Sequence, residues 1–161
     1  MPLAYNLSAT FLIEYNTAEV NAALEHADYV FANEDESSLW GATMKLESND
    51  RKDIALALAK YKKTNTNRHR TAIVTQGAQP TIVAYYDVLS GEHKIKEYPI
   101  APLEDSQIVD TNGAGDSFVG GFLSQLYQGK GLDKCIDAGI YLSREVVMKS
   151  GCKFPDACTY Q

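Results

Sequence analysis

The sequence predicts a three-layer α/β fold, with helices on both faces of a central sheet (α/β/α). Two short and almost entirely apolar runs, residues 29–33 and 71–75, are typical of strands buried on both faces of a parallel sheet. Helical patterns lie before, between and after these runs. A glycine-rich turn, residues 112–115, then leads into a further helix. This alternation of strands and helices indicates the layered α/β architecture.

Each element up to residue 75 follows from a local pattern. Residues 3–7 form a short strand that ends at Ser8, a residue type that often caps a helix. Residues 17–27 place their apolar side chains on one helical face. An acidic run begins the next helix, which Gly41 is expected to end. Residues 50–63 are acidic at the start and basic at the end, as the helix dipole favours.

The later elements are predicted in the same way. Residues 81–86 and 93–100 have the polarity and spacing of antiparallel edge strands. The stretch that begins at Ile108 is expected to run from the end of a strand through the glycine turn into a helix. The apolar face of that helix comprises Phe118, Val119, Phe122, Leu123 and Leu126. A last helix covers residues 133–149.

Composition and charge exclude several classes of function. The 161 residues are 45% hydrophobic and 22% charged, which fits one ordinary globular unit over residues 1–161. A net charge of −6 provides no basic surface for nucleic acid or for an anionic membrane. No apolar run is long enough to span a bilayer. We therefore expect neither a nucleic acid nor a membrane as a partner.

The cysteines and the first residues indicate the compartment. Cys135, Cys152 and Cys158 are too widely spaced to form a disulfide framework, and no histidine lies at zinc-ligand spacing from them. The start of the chain lacks the basic region of a signal peptide. We expect free thiols and a cytoplasmic protein, with the nucleus as a second compartment.

The strongest local signal is the segment DTNGAGD, residues 110–116. Gly113 and Gly115 let backbone N–H groups converge on an anion at a helix N-terminus, where the helix dipole adds positive potential. Asp116 falls in the first turn of that helix. There it can accept a proton from an attacking hydroxyl while the amides hold a phosphoryl group. On local grounds, simple capping of the helix by an acidic residue is the alternative.

Several stretches together resemble one family of kinases. The segment DTNGAGDSFVGGFL, residues 110–123, is similar to the C-terminal signature of the ribokinase-like family of small-molecule kinases. Four further stretches resemble the adenosine kinases within that family: NLSATF (6–11), ANEDE (32–36), TQG (75–77) and SGCKFP (150–155). The resemblance implies a ribokinase-like α/β/α fold with adenosine and ATP as substrates and Mg²⁺ as cofactor. It also implies transfer of the ATP γ-phosphate to the 5′-hydroxyl of adenosine, which makes AMP in purine salvage.

The resemblance assigns a role to particular positions. Asp116 matches the catalytic base. The anion hole for the γ-phosphate corresponds to Asn112, Gly113, Ala114 and Gly115. Asn33 and Glu36 match an N-x-x-E motif that organises Mg²⁺ through water, which suits a cation that keeps most of its water shell. The residues expected along the ATP are Thr75, Gln76, Gly77 and Ile140.

Two of these motifs also have simpler interpretations. The acidic residues 34–36 form an ordinary helix start, and residues 75–77 form an ordinary strand end. Three positions depart from the family: Thr10 stands where Pro is frequent, Ser117 where Ala is frequent, and Ile140 where many adenosine kinases have His near the adenine. The departure at Ile140 concerns stacking on the base and leaves the phosphate chemistry unaffected.

The resemblance further implies that a complete family member carries another half before residue 6, with the lid and most nucleoside-binding residues. We therefore expect this chain to be the C-terminal, ATP-side portion, with the missing N-terminal half as a partner. Such a chain would expose a cut sheet edge and would be inactive alone. Two other functions stay open: another ribokinase-like sugar or nucleoside kinase, and a non-catalytic nucleotide-binding or interaction fragment.

Overall fold

The structure, a computed structural model, describes residues 1–154 and residue 160. The chain divides into two compact units, Met1–Pro99 and Ile100–Gln161. Pro155, the last residue of the SGCKFP stretch, and Cys158 lie outside the described residues.

The first unit is a mixed sheet with helices. The strands are β1 (Ala4–Asn6), β2 (Tyr29–Asn33), β3 (Thr71–Gln76), β4 (Gln79–Asp87) and β5 (Glu92–Tyr98). The helices are α1 (Thr10–Tyr15), α2 (Thr17–Leu24), α3 (Glu34–Thr43) and α4 (Arg51–Lys60). The strands lie side by side in chain order, with β1, β2 and β3 parallel and with β4 and β5 antiparallel to their neighbours. The predicted α/β fold class is confirmed.

Both faces of the central strands are buried, as the apolar runs predict. One face packs against the helices in a continuous core that includes Val30, Ala32, Ala72, Val74, Ile82 and Ala84. On the other face, Phe31, Ile73 and Val83 lie opposite one another across β2, β3 and β4, and all three are buried. The three strands therefore lack the alternation of a sheet with one solvated face.

A buried arginine joins the ends of two helices. The side chain of Arg70 is 1% exposed, and its guanidinium donates hydrogen bonds to five backbone carbonyls of the described residues. These carbonyls belong to Leu24, Ala27, Leu58, Tyr61 and Lys62, at or just after the ends of α2 and α4. Carbonyls at a helix end lack partners within the helix, and the five N–H donors of a guanidinium can satisfy several at once. Burial lowers the pKa of Arg70. Arg70 thus fixes both helix ends to the start of β3.

Three local predictions for the first unit are wrong. Ser8 is not an N-cap: its φ is 66°, its hydroxyl donates to the carbonyl of Asn6 at 3.0 Å, and Ala9 caps α1. Gly41 does not end α3, which continues to Thr43. An ideal Cβ on Gly41 would lie 3.1 Å from Cγ1 of Ile54, so the glycine serves the close approach of α3 and α4. Finally, of the two strands predicted to lie at an edge, β4 is paired on both sides and β5 alone lies at an edge.

The second unit contains a pair of closely packed helices, α5 (Ala114–Tyr127) and α6 (Leu132–Val147), after a 3₁₀ turn at Asp105–Gln107. Two glycines allow their contact. A Cβ on Gly121 would overlap the carbonyl oxygen of Ala138, and a Cβ on Gly139 would lie 2.9 Å from the carbonyl oxygen of Phe118. The buried residues of α5 are Ser117, Phe118, Gly121 and Phe122. Leu123, predicted on the inner face, is 36% exposed.

The strand expected before the glycine turn is also wrong. Residues 108–110 have no strand pairing in the structure. Instead, the N–H groups of Val109 and Asp110 donate to the carbonyl of Val147 at 3.0 and 3.2 Å, at the end of α6. The turn is therefore anchored to a helix end. Within residues 1–154, no helix combines the length and the apolar character needed to cross a bilayer.

Candidate functional site

The turn before α5 has a backbone suited to an anion. Gly113 is the N-cap of α5, with a φ of 78° that side-chain-bearing residues rarely adopt. The N–H groups of the first helical turn have no acceptors within the helix, and that of Ala114 donates to the carbonyl of Thr111 at a long 3.3 Å. An ideal Cβ on Gly115 meets nothing within 4 Å, so the backbone there is open to an approaching group. Asn112, Gly113, Ala114 and Gly115 thus form the predicted turn at a helix N-terminus, where an anion is favoured.

Asp116 lies in the first turn of α5 and is the acidic residue of that turn. Its side chain is exposed. A carboxylate at this position can accept a proton from a hydroxyl that approaches a group bound at the turn. The role of Asp116 as the catalytic base stays a prediction of the family resemblance.

Asp110, which sequence reasoning did not single out as a site residue, holds the same turn. Its carboxylate accepts the N–H of Asn112 at 2.9 Å and the N–H of Gly151 at 3.1 Å. These hydrogen bonds, first that from Asn112, keep the pKa of Asp110 below its usual range. Gly151, in the described part of the SGCKFP stretch, thus lies beside the turn, a contact that no local pattern could indicate because Asp110 and Gly151 are 41 residues apart.

In the first unit, Asn33 and Glu36 form a reciprocal cap at the start of α3. Oδ1 of Asn33 accepts the N–H of Glu36 at 2.8 Å, and Oε2 of Glu36 accepts the N–H of Asn33 at 3.0 Å. Nδ2 of Asn33 also donates to Oε1 of Glu36 at 2.9 Å. The simpler interpretation of this motif, a helix start, is confirmed as a structural role of the pair.

The same pair fits a magnesium ion held through water. Carboxylate and amide oxygens are the ligand types that Mg²⁺ prefers, and it usually keeps several of its waters. A carboxylate oxygen can accept more than one hydrogen bond, so capping is compatible with contact to a metal-bound water. Among the described residues, no cluster of three or more His, Cys, Asp or Glu side chains is arranged to hold a metal directly.

Thr75, Gln76 and Gly77 lie at the end of β3, next to this pair. Thr75 is directly opposite Asn33 across β2 and β3, and its hydroxyl donates to the carbonyl of Ala32 at 3.4 Å. Gly77, with a φ of 56°, begins the short turn to β4, and a Cβ there would meet nothing within 4 Å. Polar groups from two parallel strands thus meet at their carboxyl ends, the usual position of ligands in α/β proteins.

The side chain of Gln76 is used locally. Its Nε2 donates to the carbonyl of Pro80 at 2.6 Å, and its Oε1 accepts from Arg51 at 3.1 Å. Gln76 lines an open cleft of about 430 Å³ beside the start of α4. In that cleft Lys52 is paired with Glu97 at 2.8 Å, so part of its charge is neutralised.

The predicted site residues are shared between the two units. Asn33, Glu36 and residues 75–77 belong to the first unit, and residues 112–116 belong to the second. Ile140 is also in the second unit, half-buried on α6 after Gly139. Cys135 is a buried free thiol and Cys152 an exposed one, as expected for these two cysteines.

The structure has a mixed α/β sheet with polar residues at its strand ends and a glycine turn at the N-terminus of a helix. These features are typical of α/β proteins that bind phosphate groups. Residues 3–157 match the model of the pfkB family of carbohydrate kinases, and the chain belongs to this family. The family resemblance predicted from the sequence motifs is thereby confirmed.

Similar proteins include several adenosine kinases. Adenosine kinase 1 of Arabidopsis thaliana is 42% identical over 151 residues, which are 94% of this chain and 42% of that protein. The adenosine kinase of Schizosaccharomyces pombe is 38% identical over 154 residues, with 96% of this chain and 44% of the relative covered. This chain therefore spans less than half the length of these relatives.

Solved structures give the same result. The adenosine kinase of Anopheles gambiae in complex with P1,P4-di(adenosine-5) tetraphosphate matches with a TM-score of 0.85 and 35% identity, over 94% of this chain and 44% of that one. The adenosine kinase of Schistosoma mansoni in complex with 2-fluoroadenosine matches with a TM-score of 0.86 and 30% identity, over 96% and 44% of the two chains. The ribokinase-like assignment of the α/β fold is thus supported by structure as well as by sequence.

Proposed function

We propose that this chain supplies the ATP and Mg²⁺ side of an adenosine kinase, which transfers the γ-phosphate of ATP to the 5′-hydroxyl of adenosine. The observation that carries the proposal is the open glycine turn at the start of α5, with Asp116 in its first turn. The identity to adenosine kinases supports adenosine as the acceptor.

In this proposal the turn and Asp116 divide the chemistry. The N–H groups of residues 113–115 hold the γ-phosphate and stabilise the charge on its oxygens during transfer. Asp116 takes the proton of the 5′-hydroxyl as its oxygen bonds to the γ-phosphorus. The bond from that phosphorus to the bridging oxygen breaks, and ADP leaves with the electron pair. Such a transfer is in line and depends mainly on positioning and electrostatics.

The remaining residues bind and orient. When bound, Mg²⁺ offsets the negative charge of the ATP phosphates. Asn33 and Glu36 would hold its water shell from the start of α3. Thr75, Gly77 and Ile140 would lie along the ATP, with the side chain of Gln76 fixing the β3–β4 turn through Pro80 and Arg51.

We also propose that a further polypeptide segment completes the sheet at β1. This edge strand carries no charged residue, and its surroundings expose Leu3, Phe11 and Tyr15 at 47%, 59% and 77%. The other edge, β5, carries several charged residues that discourage pairing with another strand. Because the chain covers only 42–44% of its relatives, the added segment would be the N-terminal half with the lid and the nucleoside contacts. We place the complete enzyme in the cytoplasm, where the free thiols stay reduced.

The test is phosphorylation of adenosine by the purified chain, alone and co-expressed with the N-terminal half of Arabidopsis adenosine kinase 1. Labelled adenosine, ATP and Mg²⁺ should give AMP only in the co-expressed sample. The isolated chain should make none, because transfer requires the acceptor hydroxyl to be positioned and water to be excluded. AMP formation by the isolated chain would contradict the requirement for a second segment.

The family description favours one competing function, a carbohydrate kinase. The same samples should therefore be assayed with ribose and fructose. Phosphorylation of a sugar in preference to adenosine would replace the proposed acceptor. Binding of ATP without any transfer in the co-expressed sample would favour a non-catalytic nucleotide-binding role.

A further inference from the structure

One carboxylate joins the turn before α5 to the C-terminal turn, residues 150–153. Oδ1 of Asp110 accepts the N–H of Asn112, and Oδ2 accepts the N–H of Gly151. The first bond spans two residues, which is the ordinary pattern of a local Asx turn. The second spans 41 residues. A single side chain therefore fixes the position of both segments.

A second contact joins the same segments. An ideal Cβ on Gly113 would lie 2.7 Å from Sγ and 3.1 Å from Cβ of Cys152, the residue that follows Gly151. The N-cap of α5 thus has no room for a side chain, because the C-terminal turn packs directly against it. This close approach and the two hydrogen bonds of Asp110 are independent observations of one arrangement.

The backbone of Asp110 is itself held in place. Its N–H and that of Val109 both donate to the carbonyl of Val147 at the end of α6. The side chain therefore starts from a fixed point and reaches two amides on different segments. Three parts of the second unit, the glycine turn, the end of α6 and the C-terminal turn, converge on this one aspartate.

We propose that Asp110 is a positioning residue for phosphate binding, which orders the anion-binding turn and the C-terminal turn as one unit before ATP arrives. This inference rests on the proposed function, since that function places a phosphate at the turn. Without the carboxylate, ATP itself would have to order the turn. The free-energy cost of that ordering would then weaken ATP binding.

The first test needs no ligand. Amide hydrogen exchange of the 161-residue chain is followed by NMR in the wild type, in Asp110→Ala and in Asp105→Ala. The last variant is the matched control, because it removes an exposed aspartate from the same unit. Asp110→Ala should accelerate exchange at both Asn112 and Gly151 about ten-fold or more, as expected for the loss of a hydrogen bond to a charged group. Asp105→Ala should change neither. Acceleration at Asn112 alone would overturn the proposal, because Asp110 would then form only a local turn.

The second test measures affinity for MgATP through amide chemical shifts, at ATP concentrations up to the millimolar range. The Kd of Asp110→Ala should be about ten-fold higher than that of the wild type and of Asp105→Ala. The Kd of Asp110→Asn, which keeps one acceptor oxygen, should lie between the Kd of the wild type and that of Asp110→Ala. Equal affinities in the four proteins would overturn the proposal. A wild-type chain that binds no MgATP would instead contradict the proposed function. In that case, the hydrogen-exchange rates of Asn112 and Gly151 would still test whether Asp110 joins the two turns.

Discussion

Asn33 and Glu36 hold each other across the first turn of α3, with two backbone hydrogen bonds of 2.8 and 3.0 Å and a side-chain hydrogen bond of 2.9 Å. The pair to which the family resemblance assigns Mg²⁺ is therefore a helix cap in this structure, and the Mg²⁺ role is a proposal. The two roles can be separated by substitution. A cap requires an oxygen acceptor, whereas the water shell of a divalent cation is favoured by negative charge.

We predict that Glu36→Gln raises the Mg²⁺ concentration needed for half-maximal ATP binding. Gln keeps an oxygen for the cap but loses the charge, so unfolding should be affected less than in Glu36→Ala, where loss of the cap costs about 1 kcal/mol or more. Titration of Mg²⁺ at fixed ATP gives the midpoint, and urea unfolding gives the stability. The control is Asp35→Asn, which removes the charge of an exposed acidic residue in the same turn. An unchanged midpoint in Glu36→Gln would leave the pair with a capping role only.

Gly120 and Gly121 are neighbours on α5 with opposite surroundings. A Cβ on Gly121 would overlap the carbonyl oxygen of Ala138 on α6, whereas a Cβ on Gly120 would meet nothing within 4 Å. We predict that Gly121→Ala lowers the free energy of unfolding by about 2 kcal/mol, as overpacked sites do. Gly120→Ala should raise it by about 0.5 to 1 kcal/mol, because alanine restricts the unfolded chain and favours the helix. Urea unfolding of both variants is the measurement, and equal effects would argue against close packing of α5 on α6.

Asp28 and Lys63 form a buried ion pair in the first unit. The Asp28 residue is 5% exposed, and its carboxylate accepts from Nζ of Lys63 and from the N–H of Leu3, both at 2.8 Å. Burial by itself raises the pKa of this carboxyl. The hydrogen bonds from Lys63 and Leu3 outweigh burial and hold the pKa below its usual range.

Because the folded-state pKa of Asp28 is the lower one, the unfolded chain takes up a proton first as the pH falls. Its contribution to stability is therefore present above the ordinary aspartate pKa of about 3.9 and is lost as the pH falls through the folded-state value. We predict that Asp28→Asn flattens the loss of stability below about pH 5. Urea unfolding as a function of pH provides the measurement, and an unchanged acid slope would contradict the prediction.

Lys63→Met offers a second route to the same result. Removal of the cation should raise the folded-state pKa of Asp28 toward its unfolded value, so that less stability is lost as the pH falls. The neighbouring Lys62→Met is the matched control. Lys62 pairs with Glu25 at 2.6 Å, but its side chain is 66% exposed, and exposed pairs contribute little. If Lys63→Met and Lys62→Met had the same pH dependence of stability, burial of the Asp28–Lys63 pair would not increase its contribution to stability.

The sequence predicts those parts of the fold that depend on neighbouring residues. The bounds of β2 are predicted correctly because an apolar run followed by an acidic cap is a local signal. The end of α3 is missed, since Gly41 is buried against Ile54 and does not cap the helix. The strand expected before the glycine turn is absent because the N–H groups of Val109 and Asp110 donate to Val147 at the end of α6. In each failure, a contact between distant residues overrides the local preference.

In the candidate site, too, the features that depend on neighbouring residues are predicted, and those that depend on distant residues are missed. The spacing of Asn33 and Glu36 and the glycine turn at 112–115 are local, and both are recognisable in the sequence. The link from Asp110 to Gly151 joins residues far apart in the chain, and so do the contacts of Arg70 with two helix ends. No periodicity or motif indicates them, because they exist only once the chain has folded.

In the proposed reaction, Asp116 removes the proton of the acceptor hydroxyl while the turn before it holds the phosphate. The most direct measurement is kcat for AMP formation by the chain co-expressed with the N-terminal half of Arabidopsis adenosine kinase 1, compared between the wild type and Asp116→Asn. We predict that kcat falls by about 10² to 10⁴, the usual contribution of a general base, with the MgATP affinity and the melting temperature unchanged. An Asp116→Asn enzyme that retains more than half of the wild-type kcat would contradict the claim.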